Sequence, residues 1–206
     1  MTKSSVTPSS GCADVQAADP EPEPSQFALD VLLEGSCAHL QTDLVQRWCG
    51  DALAAQQLLD LSAVSYVEVS VKLLDREAMR QLNHEYRHKD SATNVLSFAS
   101  DLPVMEGASD TGGFLAIGDL VLCPAIIEAE AVEQDKPLMH HWAHMIIHGT
   151  LHLCGYDHEN AHDARTMERE EIRILSILGI PDPFIDDPNS ASLAANAVNS
   201  TLNNHE

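Results

Sequence analysis

Basic residues, paired cysteines and long apolar runs are all scarce in this chain, and each scarcity removes a class of protein. Eleven Lys and Arg stand against 32 Asp and Glu in 206 residues, a formal charge of −21. So acidic a surface repels a polyphosphate, which argues against tight, sequence-independent binding to nucleic acid through overall charge. An anionic substrate would need a local basic patch. The five cysteines, Cys12, Cys37, Cys49, Cys123 and Cys154, are odd in number and include no C-x-x-C pair. A disulfide framework or a cysteine zinc knuckle is therefore not expected. Apolar stretches are too broken for a membrane helix, and Met-Thr-Lys-Ser-Ser-Val-Thr-Pro at the start lacks the apolar core of a signal peptide, so a reducing cytoplasm is the expected compartment.

What is present is enough apolar residue, 44%, to rule out disorder throughout. One domain with tails suits the length better than two full cores. Residues 1–24 are Ser, Ala, Pro and acidic residues closing in Pro20-Glu21-Pro22-Glu23-Pro24, and are expected to be a disordered acidic tail. Residues 185–206, with five Asn among small residues, are expected to be a second, Asn-rich tail. Four acidic residues lie before position 25 and three after 184, so the intervening 25–184 keeps 25 acids against 10 bases. The tails do not account for the charge.

Within 25–184 the hydrophobic period switches between two and 3.6. Strands are expected near 27–33, 64–71, 93–98 and 113–122, and helices over 40–59, after Asp75, and over 124–135, 137–153 and 160–178. Asp75 offers a side-chain oxygen to cap the helix carrying Met79, Leu82 and Tyr86. The fold class read from this is α/β (α+β): a single mixed sheet covered by about five helices, with no internal repeat.

Seven of the eleven histidines fall between 140 and 162. His144, His148 and His152 step by four along the predicted helix and so share one face. Gly155 follows the last turn, where a residue without a side chain can reverse the chain and swing His158 back toward the same point. His148, His152 and His158 are thus the predicted ligands of one divalent metal, most simply Zn2+, at the end of a helix and the following turn. Their spacing, i, i+4 and i+10 with glycine at i+7, is that of the metzincin peptidases, H-E-x-x-H-x-x-G-x-x-H. One position differs: the residue after the first histidine is Gly149 in place of the glutamate base, so peptidase chemistry loses its proton acceptor. His140, His141, His144 and His162 read as bystanders and Cys154 as a buried thiol. Asp157 could accept the second ring proton of a ligating histidine or cap the next helix.

Four segments together resemble the YbeY proteins, bacterial metal-dependent endoribonucleases of ribosomal RNA maturation. They are Leu82-Asn83-His84-Glu85-Tyr86-Arg87-His88-Lys89-Asp90, Thr93-Asn94-Val95-Leu96-Ser97-Phe98, Gly118-Asp119-Leu120-Val121-Leu122-Cys123, and His141-Trp142-Ala143-His144 running into the histidine string. The resemblance implies cleavage of single-stranded RNA, including processing of the small-subunit rRNA 3′ end and ribosome quality control, with rRNA and the ribosome or small-subunit particle as partners. It also implies an important arginine at Arg87. His88 stands where the family usually has glycine, and Ala92 where it usually has proline.

The bases themselves give a compatible reading. Lys72, Arg76, Arg80, Arg87 and Lys89 are half of the core's ten. Arg87 is the expected catalytic side chain, since a planar guanidinium can hold two phosphate oxygens and stabilise charge building there. Lys72, Arg76, Arg80 and Lys89 are candidate substrate contacts, although for Arg76 and Arg80 a solvated helix face with Glu77 and Glu85 as partners is an equal reading. The alternatives are a non-catalytic ribosome-assembly factor with a structural metal, and a metallopeptidase with a replacement base such as Glu159 or Glu128.

Overall fold

Val67, Val69 and Val71 are buried while Ser65, Glu68, Ser70 and Lys72 are not, the two-residue alternation of a strand with one face on a core. A computed structural model of the chain describes residues 27–101, 104–105 and 113–185, and places this segment second in a four-stranded sheet. In chain order the elements are β1 (Ala28–Glu34), α1 (Thr42–Ala55), β2 (Val64–Leu73), α2 (Arg76–Arg87), β3 (Val95–Ala99), β4 (Gly113–Leu122), α3 (Pro124–Glu133), α4 (Leu138–Leu153) and α5 (Ala161–Ile177). Strand order is β1-β2-β4-β3; the first three run parallel and β3 is antiparallel to β4. The sheet is therefore mixed and the fold α+β, as the period switches predict. The expected tails at 1–24 and 185–206 lie outside the described residues, apart from Ile185, as does most of the Gly- and Asp-rich connection near 101–112.

The helices bury one sheet face unevenly. Val31, Val67, Val69, Val71, Leu115, Ile117, Leu120 and Leu122 form one cluster with Trp48 and Cys49 of α1, Trp142, Ile146 and Leu151 of α4, and Met167 and Ile174 of α5. On the opposite face α2 lays Met79 over Leu96 and Val121 in a smaller cluster. The rest of that second face stays open as a groove of about 1020 Å³ bordered by Leu32, Lys72, Leu82, Tyr86, Phe98 and Asp119.

A bulge in β4 decides which side chains reach the core. Glu68 pairs with Ala116 but Val69 pairs with Gly118, so Ile117 is the extra residue. Without it, strict alternation from Leu115 would turn Asp119 inward and Leu120 out. Gly118 accepts the required backbone at φ 135°, where a Cβ would sit 2.1 Å from the Phe98 carbonyl oxygen.

Two helix ends differ in how they follow the sequence. Asp75 caps α2 as expected, its Oδ1 accepting from the Ala78 N–H at 2.9 Å. The helix predicted over 40–59 ends at Ala55, because Gln56 turns extended and its side chain takes over the backbone of Leu59, accepting from its N–H at 2.7 Å and donating to its carbonyl at 2.8 Å. Leu58 is consequently left exposed.

Candidate metal centre

Eleven of the sixteen residues of α4 are buried, so this helix runs through the core, and the half-buried His148 and His152 of its last two turns carry the site. At its end the Gly155 N–H donates to the His152 carbonyl at 3.0 Å and the Tyr156 N–H to Leu151 at 3.1 Å, with Gly155 at φ 96°. This left-handed stop reverses the chain. It brings His158 back beside α4, and the ring centroids of His148, His152 and His158 lie 4.7, 4.9 and 5.6 Å apart. One ring nitrogen from each falls within 4.8 Å of the others. Sequence spacing predicts this convergence, and the turn at Gly155 is its cause.

The outward hydrogen bonds fix which nitrogens face inward. His148 Nδ1 donates to Glu171 Oε1 at 2.5 Å, and His152 Nδ1 donates to the Tyr156 carbonyl oxygen at 2.9 Å. With Nδ1 occupied in both rings, the Nε2 lone pairs are the ones left to bind a cation, the usual tautomer control of a histidine ligand. Burial, reinforced by the charges of His148 and His158, pushes His152 down to about 4, which keeps that imidazole neutral at pH 7. Three converging imidazoles, two of them with the second nitrogen anchored, suit zinc or a similar borderline cation, so the residues present fit the metal that the sequence pattern implies.

Asp157 fills neither proposed role. Its Oδ1 accepts the backbone N–H of His158 at 2.7 Å, and α5 is capped instead by Asn160, which accepts from His162 and Asp163 N–H groups at 3.0 and 3.1 Å. The carboxylate that orients a ligand is Glu171, from the middle of α5. Its other oxygen accepts from His144 Nε2 at 3.3 Å, so His144, read from sequence as a bystander, is the second anchor of the same carboxylate. Burial would raise the Glu171 carboxyl, but hydrogen bonds from His144 and His148, together with their charge, hold it at about 2. A signal for Glu171 exists in the sequence: it occupies the stripe of Met167, Ile174 and Leu175, where an apolar residue belongs, and it is only 2% exposed.

Gly149 has a physical reason to be glycine. A Cβ there would lie 2.9 Å from Leu120 Cδ2, 3.1 Å from Val95 Cγ2 and 3.3 Å from Ser97 Oγ. Helix α4 is seated on β3 and β4 at this point, and Ser97 Oγ donates to the Gly149 carbonyl at 3.0 Å. A side chain at position 149 would grow into the sheet, so the missing base is also a missing space.

A cavity of about 230 Å³ opens at the centre, lined by Asn94, His144, His148, His158, Glu171 and Phe184 among others. The larger groove on the open sheet face holds none of the three histidines. The predicted basic residues are spread around α2. Lys72 pairs with Glu34 at 3.1 Å, Arg76 donates to the Ala125 carbonyl at 2.7 Å, and Arg80 is held by Glu77 and Asp90. Arg87 ends α2 on its exposed side with no ion-pair partner among the described residues, and Lys89 is exposed two residues on. His88, between them, takes the left-handed conformation at φ 56°, which a glycine adopts at less cost. Asn83 secures the following loop by donating to the Ser91 carbonyl at 2.7 Å.

Comparison with known proteins covers the same residues. The family described as Endoribonuclease YbeY matches residues 35–179. The Endoribonuclease YbeY of Pseudomonas putida KT2440 is 45% identical over 159 residues, covering 77% of this chain and 94% of that protein. That of Cellvibrio japonicus Ueda107 is 42% identical over 161 residues, 78% of this chain and 84% of the other. The solution structure of TM1509 from Thermotoga maritima aligns over 77% of this chain and 98% of its own, with 22% identity and a TM-score of 0.45. By the extent of the family match and the identity of these relatives, the chain belongs to the YbeY family.

Proposed function

We propose that this protein is a metal-dependent endoribonuclease that cleaves single-stranded RNA, acting in the cytoplasm on ribosomal RNA, including the small-subunit 3′ end, and in ribosome quality control. The observation that carries the reading is the convergence of His148, His152 and His158 next to a residue that cannot be a base. The name Endoribonuclease YbeY, borne by its relatives, supports the substrate class.

A divalent cation held by the three imidazoles, zinc by preference, supplies Lewis acidity toward a phosphate oxygen and makes water more acidic. The protein's own groups do the remaining work. Glu171 and the Tyr156 carbonyl keep His148 and His152 in the tautomer that binds a cation. Arg87, exposed at the end of α2, carries the planar guanidinium suited to hold two phosphate oxygens and stabilise the extra negative charge of the pentacovalent transition state. A peptidase reading is disfavoured because position 149 lacks room for a carboxylate.

The net charge of −21 favours one further element: recruitment to ribosomal particles through basic protein partners, since the exterior does not attract free RNA. The test is metal content measured together with cleavage of a single-stranded RNA before and after chelation. Stoichiometric metal and chelator-sensitive cleavage are expected, with His152→Ala losing both. Unchanged cleavage by His152→Ala would refute the mechanism; metal without any cleavage would favour the non-catalytic assembly factor.

A further inference from the structure

The cavity at the three histidines has a neighbour. Asn94, His144, Met145 and Phe184 also line a second hollow of about 420 Å³, which continues to Glu130, His141 and Lys136. Its polar groups are fixed more firmly than solvation requires. His141, 2% exposed, donates from Nε2 to Glu130 Oε2 at 3.0 Å. The Asn94 amide donates to Glu130 Oε2 at 3.1 Å and, at a longer 3.3 Å, to Oε1. That amide cannot be reversed, because its own oxygen accepts the Val95 N–H at 2.7 Å. Phe184 forms the wall, standing edge-on to His144 with centroids 5.5 Å apart, while Lys136 Nζ grips the carbonyl of Pro183 next to it at 2.7 Å.

We propose that this second hollow is a nucleobase subsite selecting guanine beside the cleaved phosphate, with Glu130 reading its Watson–Crick edge and Phe184 packing against its face; the inference rests on the ribonuclease reading. The hydrogen-bond arithmetic favours that base. An ionised carboxylate only accepts, and Glu130 Oε2 is already taken up by His141 and Asn94, so Oε1, reached only by the longer 3.3 Å Asn94 contact, is the oxygen with acceptor capacity for an incoming donor. Guanine alone among the four bases presents two neighbouring, parallel N–H groups, on N1 and N2, that can converge on one oxygen. Adenine, cytosine and uracil each bring a single donor group there, beside ring or carbonyl acceptors that face a negative oxygen. Glu130 is anionic despite partial burial: desolvation acts to raise its carboxyl, and the His141 and Asn94 hydrogen bonds outweigh it and hold it below the usual range. Stacking on an aromatic wall combined with a read Watson–Crick edge is the common way that unpaired RNA bases are recognised, and the hollow is of ligand-pocket size.

The test uses the full chain and two sets of fluorescein-labelled oligouridylates, one carrying a single internal guanosine and the other a single adenosine. Binding is measured by anisotropy with chelator present, and cleavage by gel with zinc restored. The guanosine oligomer is expected to bind about tenfold more tightly and to be cut next to the guanosine, a preference in the range of one well-made base contact. Glu130→Gln should erase the preference with metal content unchanged, and Phe184→Ala, which leaves the Glu130 network in place, should weaken guanosine binding several-fold. Cleavage without base preference, or a preference that survives both substitutions, would overturn the subsite and leave the nuclease reading standing. Guanosine-selective binding without cleavage of any oligomer would support the subsite and count against the nuclease.

Discussion

Gly149 gives the sharpest test of how the centre is built. In the interior of a helix, Gly→Ala ordinarily stabilises by about 0.5–1 kcal/mol, because alanine loses less backbone freedom on folding. Here the added methyl would meet Leu120 Cδ2 at 2.9 Å and Val95 Cγ2 at 3.1 Å, and Leu120 is fully buried with nowhere to retreat. Overpacking of this kind costs about 1–3 kcal/mol. The difference leaves Gly149→Ala less stable than the natural protein by about 1 kcal/mol, a fall in Tm of about 2–4 °C for a chain of this size. Gly149→Glu pushes a charged carboxylate toward the same three side chains and should cost at least about 3 kcal/mol, without hydrolysis of casein appearing. Urea and thermal unfolding followed by far-UV circular dichroism, on the metal-free and zinc-loaded protein, measures both variants. A Gly149→Ala protein as stable as the natural one, or more so, would show that α4 is not seated on β3 as described and that the missing glutamate has no steric reason.

Other outcomes follow from named contacts. Glu171→Gln should weaken zinc binding by about 10–100-fold in a chelator competition, since one neutral amide oxygen replaces the two charged oxygens that His144 and His148 share; unchanged affinity would remove Glu171 from that role. His88→Gly should stabilise by about 0.5 kcal/mol through relief of the left-handed backbone, partly offset by the freer unfolded chain, and a lower urea midpoint would contradict the assignment. Burial, opposed weakly by the Thr150 hydroxyl, pushes the Cys49 thiol from 9.0 up to about 12, so the folded state keeps a proton that the unfolded chain gives up above pH 9. That stability is complete below pH 9 and is lost as pH rises toward 12, by about 2 kcal/mol at pH 10.5. Cys49→Ala should therefore lose stability less steeply between pH 8 and 10.5 in urea titrations; parallel slopes would count against a buried, protonated thiol.

How far the sequence discloses the centre depends on the distance over which each contact is made. The three converging histidines are legible because their geometry is local: a helical step of four, then one glycine stop at 155. Asp75 is legible as a cap for the same reason. Glu171 is not, because it reaches His148 only through the docking of α5 on α4, and among the many acids of that helix it looks like one more solvated charge. Only its place in the stripe of Met167 and Ile174 sets it apart. Asp157, closer in sequence, takes the more obvious part and turns out to serve the backbone. The Asn94, Glu130 and His141 network is equally hidden, its members coming from the residue before β3, from α3 and from α4. The bulge at Ile117 shifts the alternation within a strand whose apolar residues occupy both parities, so periodicity alone does not say which of Asp119 and Leu120 turns inward.

Because a single carboxylate on α5 grips rings from two successive turns of α4, cation loading and the docking of α5 are thermodynamically linked. Any ion that favours the oriented His148 also favours α5 in place, and stabilises the native chain by RT ln(1 + [L]/Kd), about 2.7 kcal/mol at a hundredfold excess over the dissociation constant. Depleting the cell of that ion would then leave α5 more readily opened to proteases, so that the protein's abundance follows metal supply.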